Sequence, residues 1–522
     1  MGSPTPHHAG GLRLWTRLSL ICAGLVYQAS CSCVRNTTAQ ISSSVFLAGN
    51  WDYMDWYKNG SSNCISMVDK IAKQNVRQIQ FLPTFYWYDV GPLDPPPGFD
   101  ETCSTSDLGG YYCFNRFNAT RVQHWCYDRQ GLSCQEVTQQ NITDLIENLG
   151  GCMKHAVDLG FDIAINSRVD DGRALGGWRN TLDFDPLEIS ENWSYLEAVL
   201  YPLADAVRLA AKPSTRVDFV LQGEMGATIF MHPIEWMEVK DAVLERVTAP
   251  RPGQPDIEPA QVFFGMAVNN NKLCGCIGIG IEDATEYLAA FPASFNAVKA
   301  EFDLPALKAL FYDYDFIGIS AYVPMRSPNF SICDFEGLME RLDEELSYYD
   351  LSLEDLVDDG KEIHFVEFGI GGGTNQAGVG VARTAEQAAY YPFYGIYGAY
   401  SCQADPFNMC DLVTPSPVRD YRRKYFEGIS QYLLQGGCRY RVSTVYLWNL
   451  QSWDPQAIYP LPFADAASQA ANPTAYYDPV VVATINAHNA EAAARADGCA
   501  ARAPEPELEA ELAVASIVPP AC

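Results

Sequence analysis

Positive charge is what this sequence has least of. Its 522 residues carry 35 Lys and Arg against 64 Asp and Glu, a formal net charge of -29. With no basic surplus to neutralise phosphates, nucleic acid and anionic membranes are disfavoured as partners, whereas a neutral ligand such as a sugar is compatible. Histidine is scarce, with 7 in the chain, and no two cysteines stand in C-x-x-C spacing, so no metal is expected. The first β-like run leads into G-N-W-D-Y, with no G-x-G-x-x-G and no G-K-[ST], which removes the phosphate-cradling loops. No G-x-S-x-G elbow accompanies His232 or His364, so a serine-hydrolase triad fails too. Nothing implies a cofactor.

Long apolar runs are missing as well. Arg13 and Arg17 precede a run from Leu18 to Val26, followed by small residues near Ala29 and Ser30. That is the layout of a secretory signal peptide over residues 1–32, too short to span a bilayer as an anchor. The apolar part of the C-terminal tail, Leu512 to Pro520, is likewise short for a lipid-anchor signal. Export, to the extracellular space or a cell wall, is the expectation. The 17 cysteines agree with it. Cys103, Cys113, Cys126 and Cys134 crowd one segment and Cys402 and Cys410 another, the pattern of disulfides in an oxidising compartment. Asn36, Asn59, Asn118, Asn141, Asn192 and Asn329 each begin an N-x-[ST] sequon.

What the chain has in quantity is alternation. Apolar β-like runs at Val45 to Trp51, Val76 to Pro83, Phe161 to Ile165, Val217 to Leu221, Val262 to Val268, Phe316 to Ala321, Glu362 to Gly373 and Thr444 to Trp448 are separated by helical patterns. Trp193, Leu196, Leu200, Leu203 and Val207 fall at helical spacing, with Pro202 predicting a kink or break. Eight β-then-α units are what an α/β fold of the (β/α)8 TIM barrel type requires. A doubly wound sheet would alternate too, but without its glycine loop it is the weaker reading. The barrel is expected over residues 40–495, with disulfide-bearing insertions at about 90–140, 272–305 and 371–416. Residues 496–522, acidic and rich in Pro and Ala, read as a disordered tail.

Barrel enzymes work at the C-terminal ends of their strands. Those ends offer Asn166, Arg168, Asp170 and Asp171, with Trp178 and Arg179 just beyond, then Glu224, Asn269, Tyr322, Glu367 and Trp448. Two carboxylates on non-adjacent strands, ringed by aromatics and amides, are the ingredients of glycoside hydrolysis. Aromatic rings stack on sugar faces, and amides and Arg/Asp pairs bind hydroxyls.

R-V-D-D-G-R followed by G-G-W-R, D-F-V-L-Q-G-E-M-G, Y-D-F-I-G-I-S-A-Y-V-P, H-F-V-E-F-G and V-Y-L-W-N resemble the corresponding segments of clan A glycoside hydrolases, closest to the family 113 β-mannanase-like barrels. The resemblance covers roughly residues 45–490. It implies a retaining hydrolase acting on a β-linked polysaccharide, with Glu224 as general acid/base and Glu367 as nucleophile. It further implies that Tyr322 bonds the nucleophile and that Trp448 floors the subsite of the cleaved sugar. One position departs: many clan members carry Asn directly before the acid/base, and here it is Gly223. The sugar 2-hydroxyl contact would then fall to Asn269 or Gln222. On this reading Asp170, Trp178 and Arg179 also line the substrate site, Glu224 stays protonated and Glu367 ionised.

The same residues admit plainer roles. Glu224 could pair with Arg168 or Arg179, Asp170 and Asp171 could order a loop with Arg173 and Arg179, and Tyr322 and Trp448 could be core. The Phe85 to Tyr88 cluster could be a sugar platform or packing under the insertion. A barrel that binds glycans without cleaving them, or serves as a wall glycoprotein, is the alternative function.

Overall fold

The computed structural model describes residues 39–48, 62–88, 122–130, 133–173, 177–251, 258–269, 272–278, 284–370, 384–390, 413–448 and 478–500. The signal segment, Asn36, Asn59, Asn118, Cys103, Cys113, Cys402, Cys410 and residues 501–522 lie outside them.

Eight parallel strands close into a barrel. They are β1 (Ile41–Ala48), β2 (Gln78–Tyr88), β3 (Asp162–Asp171), β4 (Arg216–Gly223), β5 (Gln261–Asn269), β6 (Phe316–Ala321), β7 (Glu362–Phe368) and β8 (Val442–Leu447). Each pairs with its sequence neighbours, and β1 pairs with both β2 and β8, which leaves no open edge. These segments form strands because they are apolar, β-branched runs buried on both faces, the pattern of a parallel sheet. Helices α1 (Asn63–Ile71), α2 (Gln139–Asp158), α3 (Tyr201–Ala210), α4 (Pro233–Thr248), α5 (Leu304–Asp313), α6 (Gly337–Ser347), α7 (Pro417–Gln435) and α8 (Pro479–Ala500) follow the strands in turn. The main core lies between helices and sheet. The barrel interior is filled by side chains, with Val220, Ala267, Phe316 and Val366 in one layer and Phe46, Leu82, Tyr322 and Trp448 in another. Among the described residues no helix is long and apolar enough to cross a membrane.

The fold is the expected TIM barrel, and three local differences matter. Strands β2 and β3 run beyond their predicted ends because they keep pairing, Thr84 with Arg168 and on to Trp87 with Asp171. The Phe85–Tyr88 aromatics are therefore strand residues. Phe85 and Trp87 are buried, and the outer part of β2 pairs antiparallel with His124–Cys126 of the first insertion, so the cluster packs under it. Pro202 ends no helix. A π turn over Leu196–Leu200 precedes α3, and Pro202 sits in the first turn, where its missing N–H is not needed. Finally, α8 extends to Ala500, past the expected start of the tail.

Four disulfides join described cysteines: Cys64–Cys152, Cys126–Cys134, Cys274–Cys276 and Cys333–Cys438. Of the sequons, Asn141 completes the capping box of α2, Asn192 bonds Glu136, and Asn329 accepts from Lys424. The N-terminal end of the barrel is closed by polar pairs. Arg216 binds Asp218 and Glu362, Gln78 binds Asp218, and His364 binds Glu362 and stacks on Phe316.

Candidate active site

At the opposite end, regular pairing breaks where the chemistry-bearing residues begin. The registers shift between Asn166 and Arg168 on β3, between Val220 and Gly223 on β4, and between Phe365 and Glu367 on β7. Such irregularities re-aim the side chains that follow them. Glu224, the first residue past β4, has a φ of 55°, and its N–H donates to Ala267 O at 3.0 Å. A non-glycine residue in this region costs on the order of 1–3 kcal/mol. The turn so made brings Glu224 to Arg179 and Asn269.

The two carboxylates meet around one guanidinium. Arg179 Nη2 donates directly to Glu224 Oε2 and lies 3.9 Å from Glu367 Oε1, while Nη1 donates to Asp170 Oδ1 at 3.2 Å. Asn269 Nδ2 donates to Glu224 Oε1 at 3.1 Å, and the Tyr322 hydroxyl donates to Glu367 Oε2 at 3.1 Å. Arg168 reaches Asp170 from the other side, its Nε 3.2 Å from both carboxylate oxygens. The Arg168 guanidinium also lies over Trp448, 4.8 Å from the ring centroid, and over Phe46 at 5.0 Å. One Arg179 nitrogen thus stands at both acids.

Asp170 and Asp171 are neighbours in β3 and face opposite ways, as alternate strand residues must. Asp170 joins the two arginines. Asp171 turns to Arg173 Nε at 3.4 Å and to the Gly177 N–H at 3.1 Å, ordering the loop that leads to Arg179. Trp178 is half-buried at the start of the 3-10 turn Arg179–Thr181. Trp448 is 3% exposed, with Arg168 covering its ring. Gln222 is fully buried and donates to the Tyr314 hydroxyl at 2.9 Å, so of the two amides singled out for a sugar hydroxyl only Asn269 stands beside the acids.

Charge is balanced closely. Burial works against an ionised Asp170, but Arg168 and Arg179 hold it below the usual carboxylate range. Burial first, and the charge on Glu224 second, push Glu367 up to about 8, against the pull of Arg179, Arg168 and the Tyr322 hydroxyl. Glu224 is engaged with Arg179, which also stands close to Glu367.

Among the described residues two further clusters bear metal-ligating atoms. In His124, Cys126 and Cys134 the two sulfurs are joined as a disulfide, so no thiolate is on offer. Asp185, His232 and Glu235 gather outside the acid pair, and His232 Nε2 is bonded to Asp183 at 3.0 Å. Sequence reasoning overlooked Phe46 under Arg168 and Asn180 beside Arg179. Neither carries a signal of its own, one being an aromatic in an apolar strand and the other a loop amide.

No protein-family model matches the chain, and no curated protein does. Among solved structures it is similar to a family 113 β-1,4-mannanase at 13% identity, with a TM-score of 0.41, over 86% of this chain and 99% of the other. It is also similar to the family 113 β-mannanase of Alicyclobacillus acidocaldarius in complex with ManMIm, at 12% identity and a TM-score of 0.41, over 87% and 99%. A modular family 26 endo-β-1,4-mannanase of Cellulomonas fimi follows, at 12% identity and a TM-score of 0.36, over 84% and 71%.

Proposed function

We propose that this protein is a secreted, retaining glycoside hydrolase that cleaves a β-linked polysaccharide, mannan or a related hemicellulose. The observation that carries the reading is the meeting of Glu224 and Glu367, from the ends of β4 and β7, on the same Arg179 nitrogen. Their closeness supports double displacement, for which about 5–5.5 Å is usual. Glu367 would bond the anomeric carbon as Glu224 gives its proton to the departing oxygen. Glu224 would then take a proton from water as that water displaces Glu367 from the sugar. Arg179 occupies Glu224 in the free site, so substrate entry has to part the two before Glu224 can serve the departing oxygen. Tyr322 steadies Glu367 once it is ionised. The disulfides, the sequons and the signal-like N-terminus support export.

One observation favours a second reading. Glu224 and Arg179 form an ion pair whose side chains are only 7% and 11% exposed, as a barrel that binds glycans without cleaving them would tolerate. Hydrolysis of β-mannans, β-glucans and β-galactans by wild type, Glu224→Ala and Glu367→Ala, with the product anomer followed by NMR, separates the two. Loss of activity in both variants and a retained anomer are expected. Unchanged hydrolysis in both variants refutes the assignment, and oligosaccharide binding by an inactive wild type establishes the second reading.

A further inference from the structure

We infer that Asn180 is the positioning residue of this site, holding Arg179 against the two carboxylates by tying together the segments that follow β3, β4 and β5. Asn180 is fully buried. Its Oδ1 accepts from the Gly226 N–H at 2.8 Å, two residues beyond Glu224. Its Nδ2 donates to Lys272 O at 2.7 Å, three residues beyond Asn269. A carboxamide carries its acceptor and its donor on separate atoms, one for each of these two directions. Asp would set an oxygen against the Lys272 carbonyl, and Ala would leave a buried N–H and a buried C=O without their partner.

The surroundings are built as a socket for this residue. A Cβ at Gly226 would lie 2.6 Å from Asn180 Oδ1 and 2.2 Å from Leu273 O. A Cβ at Gly275, whose φ is 62°, would lie 1.8 Å from Asn180 O. Both positions need glycine for close approach, and Gly275 needs it for its left-handed backbone as well. The far wall is fixed twice. The Cys274–Cys276 disulfide closes the loop on itself, and Leu273 N donates at 2.9 Å to Glu345, a buried carboxylate that also accepts from the Tyr287 hydroxyl at 3.0 Å.

The consequence falls on the adjacent residue. An arginine side chain has several rotatable bonds and loses rotamer entropy on being held in one place. Arg179 is offered three carboxylates, and its backbone position decides which of them it reaches. Released from Asn180, the turn Arg179–Thr181 lets the guanidinium settle on Asp170 and leave Glu224 and Glu367 facing each other. Two carboxylates without their cation bind a shared proton more tightly.

The kinetic arm of the test rests on the hydrolase reading, and the titration arm does not. Asn180→Ala and Asn180→Asp would be prepared in the full chain beside Arg246→Ala, which removes an outer ion pair to Asp205 and serves as a stability control. If the wild type hydrolyses a glycan, Asn180→Ala should lower kcat about 10–100-fold with little change in KM, and move the pH profile. Asn180→Asp, which keeps the Gly226 tie, should fall between. In the ligand-free protein, carbon-13 NMR of the glutamate carboxyls, with Glu367→Gln for assignment, should show the upper titration rising by roughly half a pH unit or more in Asn180→Ala. Arg246→Ala should change neither readout. An inactive wild type sinks the hydrolase reading alone. An unmoved titration in folded Asn180→Ala overturns the role of Asn180. Should that variant fail to fold, Asn180→Asp decides by the same titration.

Discussion

Gly223 is where the chain departs from the pattern it resembles, and the barrel explains why. A Cβ there would lie 2.3 Å from Ser167 O and 2.7 Å from Asn166 Oδ1, well inside the roughly 3.5 Å at which carbon and its neighbours rest. Relief needs a shift of about 1 Å between strands held about 4.8 Å apart. Gly223 pairs with Arg168 on one side and Ala267 on the other, so the shift disturbs two ladders. Overpacking costs about 1–3 kcal/mol and a weakened ladder bond about 0.5–1.5 more, while replacing glycine in a strand returns less than about 1. Gly223→Ala should therefore lose about 2–3 kcal/mol. Urea titration of the disulfide-intact protein would measure it, with Gly337→Ala as reference. A Cβ at Gly337 meets nothing within 4 Å, and that variant should be neutral or gain up to about 1 kcal/mol. Gly223→Asn should be no better than Gly223→Ala and should not raise activity. A Gly223→Ala midpoint within about 0.5 kcal/mol of wild type would refute the steric account.

The acids make stability depend on pH in a defined sense. Glu367, raised by burial and Glu224 to about 8, and Glu345, raised by burial to about 7, hold protons when folded that they release when unfolded above the ordinary 4.5. Stability should thus fall as pH rises from 4.5 toward those values. Glu362, held down to about 2 against burial by His364 and Arg216, acts oppositely, and its contribution is lost as pH falls below 4.5. Thermal midpoints should peak in mildly acidic buffer, and Glu367→Gln should flatten the alkaline decline; parallel curves for it and the wild type would contradict this. The Cys64–Cys152 disulfide spans 88 residues, for which loop closure gives about 4–5 kcal/mol and practice about 2–4, so the double serine variant should lose at least about 2 kcal/mol in the same urea assay. Tyr322→Phe removes a charge-assisted bond of about 1.5–3 kcal/mol and should lower kcat/KM roughly 10–100-fold, an unchanged rate denying the bond a role in turnover.

The barrel was legible because a parallel strand buried on both faces is rich in apolar residues, as β6 and β7 are. By contrast, β1 begins four residues before the predicted Val45, because Ser42, Ser43 and Ser44 carry no strand signal. The bounds of β6 coincide with the predicted ones, whereas β2 and β3 run on through polar and aromatic residues that only pairing makes into strand. In the site, the strand-end position of Glu224, Glu367 and Tyr322 could be read from the chain, as could the link between Asp171 and Arg173. The reach of Arg179 could not. It lies eight residues past β3, and its target is set by a turn anchored through Asn180 to two distant segments. Gly223 was visible as a departure, yet its cause is an oxygen on another strand. The same holds for Trp448, whose ring lies under Arg168.

Arg179 also sets the energetic question on which hydrolysis and mere binding diverge. Parting a buried ion pair by removing one partner costs about 3–5 kcal/mol, because the other charge is stranded. Here the guanidinium need not be stranded. Asp170 already accepts from Nη1 at 3.2 Å and is itself 30% exposed, so Arg179 can give up Glu224 and keep a carboxylate. Glu224 need not be stranded either, since Asn269 Nδ2 still donates to its Oε1 at 3.1 Å. An anion on Glu367 is met by the Tyr322 hydroxyl at 3.1 Å and, at 3.9 Å, by Arg179 itself. The ion pair that argues against catalysis in the free site thus belongs to a set of groups that can exchange one contact without an unpartnered group at either end. That set is what hydrolysis requires of two carboxylates that begin with a single guanidinium between them.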